Sequence, residues 1–320
     1  MRWPIRAYAT SRVSYMRSSQ ELRSLLTGPV TSLHTPFFRD GEIDYGSLRG
    51  LVDRGIEAGS STMMLTYGDS LFSLLTDSEV AEVTKVVAEH TAGRAAVIAA
   101  DRIWWTGKTV AFARYAREVG ADLLMVLPPD WAASCTADTF VAHYAAAAAE
   151  IPVMVVTNVF SRSHALGLEV LRRLRDEVPG VVAIKDDLVG VFARKMALLL
   201  HGHWAIISGG QKQNHFDLVQ YGCDGYLSTL LTFAPQITRA YWRAVQAEEW
   251  SEAAGIIREY DMPYFDYVLG VEGSFDAALH GTYELFGLAE RWRRPPYHSL
   301  TDEQMEQLSQ KLADMKMRQV

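Results

Sequence analysis

The sequence predicts an α/β protein, a (β/α)8 TIM barrel with a C-terminal helical extension. Three observations predict it. Past Gly28, eight short apolar runs alternate with helical patterns over about 220 residues, the arithmetic of eight β/α units. The runs do not alternate in polarity, which is how strands buried on both faces read. No Gly-rich dinucleotide or phosphate loop follows an early strand, as a doubly wound open sheet would normally show. Gly107-Lys108-Thr109 lacks the upstream glycine of a P-loop.

The elements run in order. Residues 1–27 form a basic leader, with Arg2, Arg6, Arg12, Arg17 and Arg23 against one acid, Glu21. Such a start resembles an organelle transit peptide; the alternative is an amphipathic leader packed on the surface or between subunits. Residues 28–248 would form the barrel. Its strands fall at Pro29–Leu33, Thr62–Leu65, Ala95–Ala99, Leu123–Leu127, Val153–Val156, Val181–Ile184, Trp204–Ile207 and Gly225–Leu227. Between them lie helical periods. Leu48, Leu51, Val52 and Ile56 make one apolar stripe, and Val80, Val83, Val86 and Val87 another. Phe140 to Ala149 is Ala-rich and suits a closely packed helix. Residues 249–320 would form a C-terminal helical region through Glu252–Tyr260, Phe275–Leu288 and Asp302–Met315. Pro295-Pro296 breaks the last two apart, since neither proline continues a helix.

Composition narrows the function. In 320 residues, hydrophobic residues at 49% and charged residues at 22% exclude disorder for most of the chain. A net charge of −7 argues against a nucleic-acid partner. No run of eighteen apolar residues exists, so no membrane-spanning helix is expected. Cys135 and Cys223 are too few for a disulfide framework, which favours a reducing, cytoplasmic setting. No C-x-x-C or H-E-x-x-H spacing appears, so neither a metal nor another cofactor is expected.

In a barrel the reacting groups stand at the C-terminal ends of strands. There Val181-Val182-Ala183-Ile184 delivers Lys185, followed by Asp186-Asp187. A buried lysine is costly unless paired or used, and burial disfavours its ammonium form. A neutral amine attacks a ketone and forms a Schiff base. The alternative is a lysine merely paired with Asp186 or Asp187 at the rim. At the end of the second strand, Leu65-Thr66-Tyr67-Gly68-Asp69-Ser70 crowds small and hydroxyl residues into a turn. Backbone N–H groups there can hold a carboxylate; the alternative is an ordinary capped turn.

Gly28-Pro29-Val30-Thr31, Thr35-Pro36-Phe37, Asp40-Gly41-Glu42-Ile43-Asp44, Thr66-Tyr67-Gly68-Asp69, Leu75-Thr76, Glu79 and Gly120-Ala121-Asp122 carry a resemblance, in that order. Pro128, Asn158, Lys185, Gly209, the Gly222–Gly225 stretch and Arg294-Pro295-Pro296 continue it. From about Gly28 to Leu312 the chain resembles the dihydrodipicolinate synthase/N-acetylneuraminate lyase family of Schiff-base lyases. The resemblance implies that Lys185 condenses with the ketone of pyruvate or another 2-keto acid. It implies that the Thr66 hydroxyl relays protons, and that the Thr66 and Tyr67 backbone N–H groups hold the substrate carboxylate. It implies a homodimer or homotetramer, and adds Asn158, Arg162 and Gly209 as substrate-binding positions.

Departures from the family pattern are informative. Where the family usually has a tyrosine after the fourth strand, this chain reads Pro128-Pro129-Asp130-Trp131. Asp130 thus takes the place of a proton-shuttling phenol. A carboxylate, with a reference pKa near 3.9 against roughly 10, is a poor acid at neutral pH unless burial raises it. Tyr67 stands where the family often has a second threonine, and its phenol is the candidate replacement. Thr157-Asn158 replaces Tyr-Asn, and Arg162 is placed to meet a second carboxylate. Ser208-Gly209-Gly210-Gln211, Tyr226-Leu227-Ser228-Thr229, Phe233-Ala234-Pro235 and Pro128-Pro129 lean toward the sugar-acid dehydratase branch. His34 follows the first strand, Trp104, Trp105 and Trp131 stand at loop positions near the mouth, and Gln211, Asn214 and His215 open the helix after the seventh strand.

The expectation is a Schiff-base-forming aldolase or dehydratase acting on a small 2-keto acid. Two other readings compete. One is a catalytically silent barrel that binds a keto acid or serves as a scaffold. The other is a metal-dependent aldolase, which lacks a convincing His/Asp/Glu ligand set.

Overall fold

The structure, a computed structural model, describes residues 17–317. Eight parallel strands close in sequence order into one barrel. They are β1 (Gly28–Ser32), β2 (Thr62–Met64), β3 (Ala96–Ala100), β4 (Leu123–Val126), β5 (Val153–Val156), β6 (Val181–Asp186), β7 (Ala205–Ser208) and β8 (Gly225–Leu227). All eight expected runs are strands; β5 and β8 have the expected bounds and the other six have ends displaced by one or two residues. The largest shift matters: β6 runs on to Asp186, so Lys185 lies inside the strand and pairs in register with Val156 and Ile207.

Helices return the chain from each strand to the next: α2 (Tyr45–Glu57), α3 (Asp77–Thr91), α4 (Thr106–Val119), α5 (Ala137–Ala148), α6 (His164–Glu177), α7 (Gly190–Leu200), α8 (Lys212–Leu218) and α9 (Pro235–Gln246). Several start on side-chain caps that the sequence dictates. Thr76 and Glu79 form a capping box on α3, and Asp44 caps α2 through the Ser47 N–H. Leu48, Leu51 and Val52 of α2, and the four valines of α3, are buried against the barrel as their spacing requires.

Of the leader, residues 1–16 lie outside the described part. Residues 19–25 form α1, opened by a capping box between Ser18 and Glu21. Leu22 and Leu26 are buried. Arg17 Nε donates to Asp122, just before β4, and Arg23 Nε to Asp224, just before β8, each at 2.8 Å. The second oxygens of these aspartates accept the N–H groups of Val97 and Ile206, each on the preceding strand. A helix thus spans the N-terminal end of the barrel.

The C-terminal region caps the other end. It comprises α10 (Trp250–Ile256), α11 (Met262–Gly270), α12 (Ser274–Leu285) and α13 (Asp302–Asp314). The periodicity ends at Tyr260, yet the helix continues to Gly270. A π-turn over Ile257–Asp261 makes this possible. It resets the ladder so that Pro263 falls in the first turn of α11, where a missing N–H is harmless. Arg294 ties the segment after α12 back to the barrel. Its guanidinium donates to Glu79 and to the carbonyls of Gly41 and Leu74. No helix among the described residues is long and apolar enough to cross a membrane.

Candidate active site

A cavity of about 430 Å³ opens at the C-terminal end of the barrel. Strand ends and loops supply most of its wall, and α11 and α12 supply the rest through Phe265, Leu269 and Phe275. Lys185 is in it, 8% exposed. Four apolar residues of β6 set this depth, and strand alternation turns the lysine inward. Its Nζ donates to the carboxylate of Asp187, which also lines the cavity. The pairing weighed from the sequence is therefore present, and it lies inside the cavity.

Two buried neighbours hold Asp187 in place. Thr157, at the end of β5 and fully buried, accepts the Asp187 N–H at 2.8 Å and donates to Asp186 Oδ1 at 2.9 Å. Asp186 points away from the cavity and accepts the N–H groups of Leu188 and Val189. Burial raises its carboxyl above the usual range, and the Thr157 hydrogen bond opposes that. Gly209, at the end of β7, also lines the cavity and donates its N–H to Asp186 O at 2.7 Å. Its role here is to leave room. A β-carbon there would collide with Asp187 Oδ1 and stand 3.2 Å from Lys185 Nζ.

The turn after β2 makes the opposite wall. Thr66, Tyr67, Gly68 and Asp69 all line the cavity. Thr66 Oγ1 accepts the Asp69 N–H at 2.9 Å, and Ser32 Oγ donates to the Asp69 carboxylate. The expectation that the Thr66 N–H holds a substrate carboxylate is corrected. That N–H already donates to Ser70 Oγ at 3.0 Å, because Ser70 turns inward to bind Leu33 O as well. Among the described residues no acceptor meets the N–H of Tyr67 or Gly68, so the open donors lie one residue further on.

Asn158 lines the cavity as expected, whereas Asp130 and Arg162 do not. Asp130 accepts the Cys135 N–H at 3.0 Å within the loop after β4, a turn-forming role typical of aspartate. Arg162 is exposed beyond the short helix Thr157–Phe160, which turns the chain away from the mouth. His34 is buried, bonded to Tyr283 Oη, and outside the cavity wall. Trp104 packs on Phe112 in the core, while Trp105 and Trp131 are exposed and do not line the cavity. Gln211 and Asn214 do line it, and His215 is buried against Tyr241.

Sequence reasoning missed Gly210, Thr229, Phe265, Leu269 and Phe275 as wall residues. Thr229 and Gly210 each sit two residues beyond a strand, β8 and β7, and were findable by the strand-end rule. Phe265, Leu269 and Phe275 depend on how α11 and α12 return over the barrel, and no local pattern announces that.

Comparison with known proteins settles the family. Residues 25–315 match the Dihydrodipicolinate synthetase family. The chain belongs to this family. Among curated relatives, a probable 5-dehydro-4-deoxyglucarate dehydratase of Streptomyces coelicolor is 28% identical over 294 residues, covering 89% of this chain and 91% of the relative. A 4-hydroxy-tetrahydrodipicolinate synthase of Methylibium petroleiphilum is 31% identical over 237 residues, covering 72% and 79%. Among solved structures, dihydrodipicolinate synthase from Oceanobacillus iheyensis superposes with a TM-score of 0.81 at 20% identity, covering 94% of this chain and all of that one. A family member from E. coli K12 in complex with pyruvate gives 0.78 at 22% identity, covering 92% and 100%. The fold is thus shared across the family, and the chain is a Schiff-base-forming class I lyase of the dihydrodipicolinate synthetase family.

Proposed function

We propose that Lys185 is the Schiff-base nucleophile and that the enzyme makes or breaks a bond at C3 of a 2-keto acid. The observation that carries this is the placement of Lys185. It is a nine-tenths buried amine inside a cavity at a strand end, facing a turn with open backbone donors. In the proposed sequence Asp187 takes a proton from the lysine, and the free amine adds to the keto carbon. Asp187 then returns that proton to the carbinolamine hydroxyl, which leaves as water and gives the iminium. The iminium withdraws electrons, so a C3 proton, a C3–C4 bond or a neighbouring C–O bond can be released. Water hydrolyses the product imine and frees the lysine.

The N–H groups of Tyr67 and Gly68 suit the C1 carboxylate. Thr66 Oγ1, having accepted from Asp69, keeps its own proton to donate into the cavity. The phenol of Tyr67 lies on the same wall and is the candidate substitute for the family tyrosine. The dehydratase relative and the Gly209-Gly210 turn favour dehydration over aldol addition. Exposed Trp105 and Trp131 on neighbouring loops support a homodimer or homotetramer. Two free cysteines are consistent with a cytoplasmic setting.

Borohydride reduction in the presence of pyruvate, read by peptide mass spectrometry, tests the reading. A reduced adduct on Lys185 is the expected result. An unlabelled Lys185 with pyruvate and with longer keto acids would instead favour the catalytically silent barrel, with Lys185 and Asp187 as a structural pair.

A further inference from the structure

The walls of the cavity say what the far end of the substrate must look like. Among the described residues that line it, Lys185 is the one cation, and Asp69 and Asp187 are both carboxylates. Lys185 is committed to Asp187 and, on the Schiff-base reading, to the keto carbon. Three cations on the surrounding loops are paired elsewhere, and Arg293, buried beside the start of α12 with no hydrogen-bond partner on Nε or Nη2 among the described residues, does not line the cavity. Arg102 and Lys108 pair with Asp77, and Arg294 with Glu79. Arg162 stands outside the wall.

Besides Lys185 and the two aspartates, the wall carries two uncharged groups of side chains. One is apolar: Phe265 and Phe275 stack with ring centroids 5.8 Å apart and planes 16° from parallel, and Leu269 extends that face toward solvent. The other carries the neutral amides of Gln211 and Asn214, the latter anchored to Gly209 O. A second carboxylate placed there would lose water, meet no cation in the cavity wall other than Lys185 and share the space with two aspartates. An alkyl or lightly hydroxylated tail would meet a surface suited to it.

We infer that the substrate is a monocarboxylic 2-keto acid whose distal end is uncharged and partly apolar. This rests on the Schiff-base reading for the reacting end, and on the cavity wall alone for the distal end. It separates this chain from a relative whose name specifies a glucarate, which is a dicarboxylate.

A matched pair of probes tests it. 2-Oxohexanoate and 2-oxoadipate have six carbons each and differ in the terminal group, a methyl against a carboxylate. Each is titrated by borohydride trapping on the full chain, with pyruvate alongside, and in parallel by calorimetric binding, which needs no imine. The expected result is half-saturation at a concentration at least tenfold lower for 2-oxohexanoate by both readouts. Equal or tighter binding of 2-oxoadipate overturns the inference, as does binding of pyruvate with exclusion of both six-carbon acids. Calorimetric preference for 2-oxohexanoate without any trapped adduct would sustain the inference while refuting the Schiff-base reading. Leu269→Arg adds a cation to the half-exposed edge of the apolar face and is expected to narrow or reverse the preference. An unchanged preference in that variant counts against the inference.

Discussion

Gly209 and Asp187 occupy a space that holds only one side chain. A β-carbon on Gly209 would run into Oδ1 of Asp187, with Asp186 O at 2.9 Å and Lys185 Nζ at 3.2 Å on its other sides. Gly209→Ala is therefore expected to push Asp187 off the lysine. Turnover should fall by about 100-fold or more, the usual scale for losing a positioned proton carrier, while thermal unfolding moves by only a few degrees. Full activity in this variant would show that the lysine works without its neighbour.

Asp187→Asn keeps the shape and removes the proton acceptor. Imine formation, followed by single-turnover borohydride trapping, should slow by about 100-fold or more, while binding of the keto acid changes little. Lys185→Arg should abolish trapping altogether, because guanidinium stays protonated.

Thr157 links β5 to β6 through two buried hydrogen bonds. Thr157→Val leaves the Asp187 N–H and the raised Asp186 carboxyl each short of a partner. A loss of about 1–3 kcal/mol in chemical denaturation is expected, accompanied by slower imine formation. A stability loss with an unchanged trapping rate would confine Thr157 to a structural part.

Asp101, at the end of β3, is fully buried, and burial pushes its carboxyl up to about 7. Hydrogen bonds from Leu127 N–H, Thr109 Oγ1 and Ile103 N–H oppose that rise. The folded state thus holds a proton that the unfolded chain releases near pH 4. Its stabilising contribution is whole below pH 4 and declines as pH rises to about 7, by at most a few kcal/mol. Asp101→Asn carries no titrating proton, and the introduced amide can donate to Thr109. Its stability relative to the parent should improve steadily between pH 4.5 and 7 and then level off. A constant difference across that range would contradict the assignment.

Lys212 and Asp261 form a pair buried almost completely beneath the C-terminal helices, 3.3 Å apart. Burial lowers the lysine from its ordinary value, and Asp261 counteracts this. Lys212→Met should cost about 3–5 kcal/mol by stranding the carboxylate, and Lys212→Met with Asp261→Leu should recover much of it. Urea denaturation of the three variants decides the point.

The barrel was legible because the strands are buried on both faces and most read as short apolar runs, Val181 to Ile184 most clearly. Lys185 was legible for the same reason, since a charged residue closing four apolar ones stands at a strand end. In the turn after β2 the sequence pointed to one open donor, the Tyr67 N–H, and not to the other, the Gly68 N–H. Only the folded turn shows Ser70 curling back onto the Thr66 N–H. Asp130 and Arg162 occupy family positions by count, yet local turn chemistry takes the first into a loop and the chain direction takes the second outward. Phe265 and Phe275 lie about 80 to 90 residues beyond Lys185 in the sequence, where packing between helices, rather than any short-range signal, brings them to the cavity.

The helix at the N-terminal end of the barrel has a consequence for assembly. Arg17 and Arg23 are six residues apart, but their partners lie 105 and 201 residues downstream. The Arg17 contact needs only the segment that enters β4, whereas the Arg23 contact can form only once the segment that enters β8, the final stave, is in place. The helix acts as a latch with two catches: a barrel without its last strand can engage only the first, and cutting the helix away would loosen the seam where the first and last strands meet.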